Sequence, residues 1–196
     1  MWYNKTPIVI ILLSFFVGIY FYPKMPDKIA SHWNIRSEVD GYLPKVWGLF
    51  LMPLVSLGIY GLFIALPRID PLKKNIEAFK KYYFGFILIM IVFLFYIYIL
   101  TIVANLGYGF DMGVLLIPGL SLLFLYIGIM LENSKRNWFI GIRTPWTLQS
   151  DKVWEKTHKL GSILFKVSSV LILIGIFLSK YVFWIVIGSA TIRAFL

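Results

Sequence analysis

The sequence contains no cysteine and only two histidines. Without thiols there is no disulfide, no iron–sulfur cluster and no thiolate zinc site, and the redox compartment is left open. Charge is also scarce: 14% of the 196 residues are Asp, Glu, Lys or Arg, with 9 acidic against 19 basic. What fills the chain instead is apolar, with 60% hydrophobic residues and a mean hydropathy of +0.82. A soluble domain of this size has no core able to hide that much apolar surface, so lipid is the natural solvent. The loops between apolar runs are too short to fold alone, and a single polytopic membrane domain over residues 1–196 is expected. The net charge of +10 reads as loop charge meeting anionic membrane lipid, with no direct nucleic-acid contact.

A span needs about 20 mostly apolar residues. Such runs lie at Ile8–Tyr22, Trp47–Leu66, Tyr83–Ala104 and Gly113–Leu131, and Pro7 suits the first helical turn of the first. Leu160–Leu178 and Tyr181–Leu196 follow, divided by Ser179-Lys180. One helix from Leu160 to Leu196 would be about 55 Å long, well beyond a hydrocarbon core of about 30 Å. Two antiparallel spans with Lys180 at the turn are therefore expected. Lys28-Ile-Ala-Ser-His32 offers no small-x-small cleavage site, so the first run is expected to be retained as a span.

Lysine and arginine in short loops set orientation. The loop after the second run carries Arg68, Lys73, Lys74, Lys80 and Lys81, and the loop after the fourth carries Lys135, Arg136, Arg143, Lys152, Lys156 and Lys159. The loop at Asn105–Met112 carries none. This alternation places the two basic loops in the cytoplasm. The first loop is then external, although it holds Lys24, Lys28, Arg36 and Lys45 beside Asp27, Glu38 and Asp40. The predicted fold is an all-α integral membrane protein with six transmembrane helices, both termini cytoplasmic, and one short amphipathic juxtamembrane helix. Span interiors are almost free of charge, which argues against a proton relay or ion ladder; Lys166 is the exception, and snorkelling accounts for it.

Chemistry is confined to two polar segments. In the first, at 23–45, Pro23 and Pro26 end the helix and Asp40-Gly41 is a turn signal. His32-Trp33-Asn34 reads as extended, so His32 and Asn34 point to the same side. With Asp40 they form a group that could ligate a metal or bind a peptide, or one that hydrogen-bonds the loop to itself while Trp33 anchors at the interface. One histidine and one carboxylate are too few for a zinc site, so no metal and no cofactor are expected.

In the second segment, at 137–160, Gly141 to Pro145 is turn-like and Ser150 is a suitable N-cap. Asp151, Trp154, Glu155 and His158 follow at i, i+3, i+4 and i+7 and share one helical face. That face is either a docking surface or an interfacial helix with tryptophan anchors. Arg143 can serve a phosphate, a lipid headgroup or a carboxylate of the same chain. Trp-Glu-Lys-Thr-His is not a metallohydrolase motif, and no nucleophile has an evident base beside it. The expected chain is not an enzyme.

Gly141-Ile-Arg-Thr-Pro-Trp-Thr-Leu-Gln-Ser-Asp-Lys-Val-Trp-Glu-Lys-Thr-His158, with Asn137 before it, resembles the signature of the SdpI family of membrane immunity proteins. Pro23, Pro26, His32, Trp33, Asn34, Asp40 and Lys45 resemble the companion extracytoplasmic domain of unknown function numbered 1648. Ser37 stands where that domain usually has glycine and Val39 where it often has proline, so the turn between Asn34 and Asp40 is expected to depart from the common one.

The resemblance implies two regions, 7–66 around the external loop 23–45, and 83–196 around the cytoplasmic segment. It also implies a non-catalytic protein that protects its host from a secreted antimicrobial peptide toxin, some members also sequestering a transcriptional repressor. His32, Trp33, Asn34 and Asp40 would face the toxin. Asn137, Gly141, Arg143, Thr144, Pro145, Trp146, Asp151, Trp154, Thr157 and His158 would dock the cytoplasmic partner. The competing reading is a membrane enzyme or transporter using His32, Asn34 and Asp40, with or without a metal.

Overall fold

The computed structural model describes residues 5–177. The expected sixth span, and its division from the fifth at Ser179-Lys180, lie outside the described residues. Seven helices are described: α1 Thr6–Phe21, α2 Lys45–Ile69, α3 Lys73–Ala78, α4 Lys80–Asn105, α5 Met112–Asn133, α6 Pro145–Gln149 and α7 Asp151–Ile174. Among the described residues α1, α2, α4, α5 and α7 are long and apolar enough to cross a membrane. They coincide with the five apolar runs expected within this range, enclosing those at Trp47–Leu66, Tyr83–Ala104 and Gly113–Leu131, whereas α1 stops one residue short of Tyr22 and α7 at Ile174.

The chain is mostly helical but not all-α. Between α1 and α2 the first loop forms an antiparallel hairpin of β1 Lys28–Trp33 and β2 Val39–Pro44. Pro23 and Pro26 are incompatible with continuing α1, and the backbone passes through a short 3₁₀ turn at Tyr22–Lys24 into extended structure at Met25. The reversal is not at Asp40-Gly41, which sits within β2. It lies at Asn34–Glu38, where Ser37 has a positive φ of 58°. Gly41 opposes His32 at a register irregularity, and a Cβ there would lie 2.9 Å from the His32 Cβ. Its glycine therefore serves a close approach of two strands rather than a turn.

The expected juxtamembrane helix is not separate from the fifth span. Its residues form the opening turns of α7, whose 24 residues span about 36 Å, longer than the hydrocarbon layer alone requires. Lys166 does more than snorkel, because its Nζ donates to Glu132 Oε2 of α5 at 2.5 Å. α5 and α7 form the most extensive helix pair among the described elements. Ser121 Oγ donates across them to the Ser169 carbonyl at 2.8 Å, the kind of interhelical bond lipid favours.

Two tyrosines of α4 donate to backbone carbonyls of its proline-containing neighbours, and one of them repairs a proline defect. Pro67 has no N–H to give the Phe63 carbonyl, and Tyr83 donates its hydroxyl to that oxygen at 2.6 Å. Tyr96 donates to the Leu115 carbonyl of α5 at 2.6 Å, in the turn before Pro118. One buried cluster gathers Ile76, Phe79, Tyr83, Ile87 and Ile91 along α3 and α4. A second joins Ile29 of the hairpin to Met25, Leu49, Tyr98 and Ile102.

Hydrogen bonds sort the loops into two ends. The hairpin is tied to the α4–α5 connection, whereas the α2–α4 connection is tied to the α5–α7 connection. This is the alternation that successive spans require.

Candidate functional site

At the hairpin end the turn is organised by Asn34. Its Oδ1 accepts from the amides of Arg36 at 2.8 Å and Glu38 at 3.1 Å, and its Nδ2 donates to Glu38 Oε2 at 2.9 Å. All of its side-chain bonds therefore lie inside the turn. His32 Nδ1 lies 2.5 Å from Asp40 Oδ1 across the strands, with both side chains open to solvent. The structure thus brings His32 and Asp40 together and leaves Asn34 out of the group. Trp33 is half-buried opposite Val39. No three His, Cys, Asp or Glu residues converge as metal ligands among the described residues.

Two polar anchors hold this hairpin to the helices. Asn105, the last residue of α4, brackets Ala30: its Oδ1 accepts the Ala30 amide at 2.8 Å, and its Nδ2 donates to the Ala30 carbonyl at 3.0 Å. Ser37 Oγ donates to Asp111 Oδ1 at 2.5 Å and accepts the Gly113 amide at 3.0 Å. Asp111 is at the same time the N-cap of α5, accepting from Val114 N–H. The Ser37 hydroxyl is the largest influence holding the Asp111 carboxyl below the usual aspartate range; partial burial opposes it, and the Val114 and Gly113 amides add to it.

At the opposite end, Asn137 is fully buried and ties a tight loop. Its Nδ2 donates to the carbonyls of Lys135 and Ile140, and its Oδ1 accepts the amides of Phe139 and Ile140. Gly141 follows with φ +110°, and a Cβ there would lie 2.4 Å from His158 Nε2. Only glycine meets both demands. Thr144 then caps α6 through reciprocal bonds with Thr147, with Pro145 in the first turn, and Ser150 caps α7.

On α7 the four residues at helical spacing share a face whose aromatic members, Trp154 and His158, are turned inward while Asp151 and Glu155 stay exposed. Trp154 is 1% exposed, stacks on His158 at 3.9 Å, and donates its indole N–H to the Ser134 carbonyl. His158 Nε2 accepts the Ile142 amide at 3.0 Å, and Nδ1 lies 2.9 Å from the Trp154 carbonyl. Those partners assign a neutral ring with its proton on Nδ1. Asp151 pairs with Arg136 at 2.7 Å and Glu155 with Lys135 at 3.6 Å. Of the expected docking residues, Asn137, Trp154 and His158 are therefore interior supports, and Thr157 is half-buried. Arg143, Pro145 and Trp146 are exposed, and Arg143 donates to the Trp138 carbonyl at 2.9 Å.

Sequence reasoning missed Asp70 and Asn75. Asp70 is 2% exposed and accepts the amides of Leu72 and Trp138, and Asn75 donates to the Arg136 carbonyl. Asp70-Pro71 carried a turn signal, but nothing in the sequence points 68 residues ahead to Trp138. Asn105 was missed for the same reason, whereas Asp111, set just before an apolar run, was readable as an N-cap.

Two family descriptions match the chain: "Domain of unknown function (DUF1648)" over residues 9–57 and "SdpI/YfhL protein family" over residues 133–196. The hairpin lies inside the first and the Asn137–His158 knot inside the second. The chain is also 26% identical over 185 residues to the protein named Immunity protein SdpI of Bacillus subtilis (strain 168), an alignment covering 94% of this chain and 86% of that protein. No solved structure matches it. The chain is a multi-pass protein of the plasma membrane that carries a DUF1648 region and an SdpI/YfhL family region and is similar along almost its whole length to SdpI.

Proposed function

We propose that the chain is a membrane immunity protein that protects its host from a secreted antimicrobial peptide toxin. The observation that carries this reading is the similarity to an immunity protein over 94% of the chain, both polar segments included. In this reading the hairpin end is extracytoplasmic and the basic end cytoplasmic, with the termini also on the cytoplasmic side. The lysines and arginines at 68–81 and 135–159 support that orientation.

The hairpin is the toxin-facing element. It offers the solvent-open His32–Asp40 pair and an exposed apolar tip at Ile35, beside the half-buried Trp33, while Asn34 holds the turn in shape. An amphipathic peptide would find both kinds of contact there. At the cytoplasmic end, Arg143, Trp146 and Trp138 form the exposed surface available to a repressor. Asn137, Gly141, Thr144, Trp154 and His158 shape the loop that displays it. The role is non-catalytic: both His158 nitrogens are committed to backbone groups, and His32 faces a carboxylate with no nucleophile between them.

Expression in a toxin-sensitive host is expected to raise survival against secreted peptides of this class. His32→Ala with Asp40→Ala is expected to lower that survival at an unchanged membrane level, whereas Trp146→Ala leaves survival intact and affects repressor recruitment. Unchanged killing across a panel of such peptides by cells carrying the intact chain would sink the immunity reading.

A further inference from the structure

The corner between α2 and α4 holds a cavity of about 890 Å³, built from residues that neither matched family region includes. The immunity reading gives it no task. Its apolar lining includes Phe63, Ile64 and Tyr83, and Arg68 also lines it. The Tyr83 hydroxyl is already committed to the Phe63 carbonyl, so these three residues present carbon rather than a free donor. Lys73, Lys80 and Lys81 stand at the rim with Glu77 as the acidic lining residue, and all four are exposed. None of the three lysines is ion-paired among the described residues.

Position sharpens the chemistry. The cavity opens where α2 leaves its apolar run and α4 enters its own, which is the level at which lipid headgroups meet hydrocarbon. A small soluble anion would leave an apolar floor of this size empty. A neutral apolar ligand would make no use of three unpaired ammonium groups. An amphipathic anion satisfies both halves, and a volume of this size accommodates a headgroup with the first part of its chains. The chain's own residues 178–196 contain Lys180 and Arg193 and no acidic side chain, so no side chain there complements the rim.

We propose that this cavity is a binding site for an anionic phospholipid, its phosphate held by Lys73, Lys80 and Lys81 and its acyl chains laid against Phe63 and Ile64. Phosphate recognition by lysine as a point charge tolerates varied headgroups, so the selectivity is for charge, with phosphatidylglycerol as the suitable probe. The site goes beyond the immunity function and does not depend on it.

Native mass spectrometry of the full-length chain tests it, with phosphatidylglycerol and phosphatidylcholine of identical acyl chains as probes. The intact chain is expected to retain one phosphatidylglycerol at a concentration about tenfold or more below that needed for phosphatidylcholine. The triple variant Lys73→Gln, Lys80→Gln, Lys81→Gln is expected to lose that preference, and the corresponding triple arginine variant to recover it. Lys24→Gln with Lys28→Gln, at the hairpin end, is expected to leave it unchanged. Ile64→Trp keeps every charge while filling the floor and is expected to weaken retention. Equal retention of the two lipids by the intact chain, or an undiminished preference in the triple glutamine variant, overturns the proposal. Displacement of the lipid by glycerol phosphate at comparable concentration would assign the rim to soluble phosphates and overturn the lipid assignment.

Discussion

Ser37 holds a left-handed backbone with φ +58°, a conformation that costs an ordinary residue about 1–2 kcal/mol and glycine little. Its hydroxyl offsets that strain by joining Asp111 to the Gly113 amide. Ser37→Ala keeps the strain and loses both bonds, whereas Ser37→Gly loses the bonds but relieves the strain. The alanine variant is therefore expected to unfold first, by about 1 kcal/mol relative to glycine, in thermal melts of the detergent-solubilised protein. The same contact has a pH signature. Because the Asp111 carboxyl is held below its usual range, the stabilisation is complete above the unfolded value and is lost as pH falls through the folded one. Hairpin amide protection should hold at about pH 5 and drop only below the usual aspartate range, with Asp111→Asn showing no such step. A comparable contrast exists on α7. Trp154→Ala empties a site that is 1% exposed and is expected to destabilise by about 3–5 kcal/mol in denaturant titration. Glu155→Gln removes one partner of the solvent-exposed pair with Lys135 and is expected to stay below about 1 kcal/mol.

Among elements, the spans were legible because a run of about 20 apolar residues has few alternatives to a crossing helix. The hairpin was not. Adjacent Ile29 and Ala30 are both buried in β1, which breaks the alternation that marks a strand, and the pairing with β2 slips at His32. On α7 the shared face of Asp151, Trp154, Glu155 and His158 was readable from spacing, but not the direction in which it points. The two carboxylates stay exposed and pair with Lys135 and Arg136, brought over by the Asn137 knot, while Trp154 and His158 beside them are buried. Asn105 offered no sign at all, since its partner Ala30 lies 75 residues away and the pairing exists only once α1 and α4 are side by side. Asn105→Ala is expected to speed hydrogen exchange at the Ala30 amide and its strand neighbours while leaving the α7 amides unchanged. Uniform acceleration across both ends would refute so local a role.

For the molecule as a whole, its two ends were separable in the sequence by charge, and the hydrogen bonds that gather the loops follow the same partition. Orientation is directly measurable because the chain has no native cysteine to interfere. Tyr108→Cys, in the exposed connection between α4 and α5, is expected to react with a membrane-impermeant maleimide on intact cells. Lys74→Cys should react only after lysis, and the opposite pattern would invert the assignment. Between the two family-matched regions lies α4, included in neither, yet Asn105 at one tip braces the hairpin while the Asp70–Asn75 corner just before α4 braces the Asn137 knot. Neither region is therefore a portable module. A chimaera that transplants residues 9–57 onto another scaffold inherits a hairpin without its buttress, and needs the residues around 101–113 grafted with it to keep the same tip.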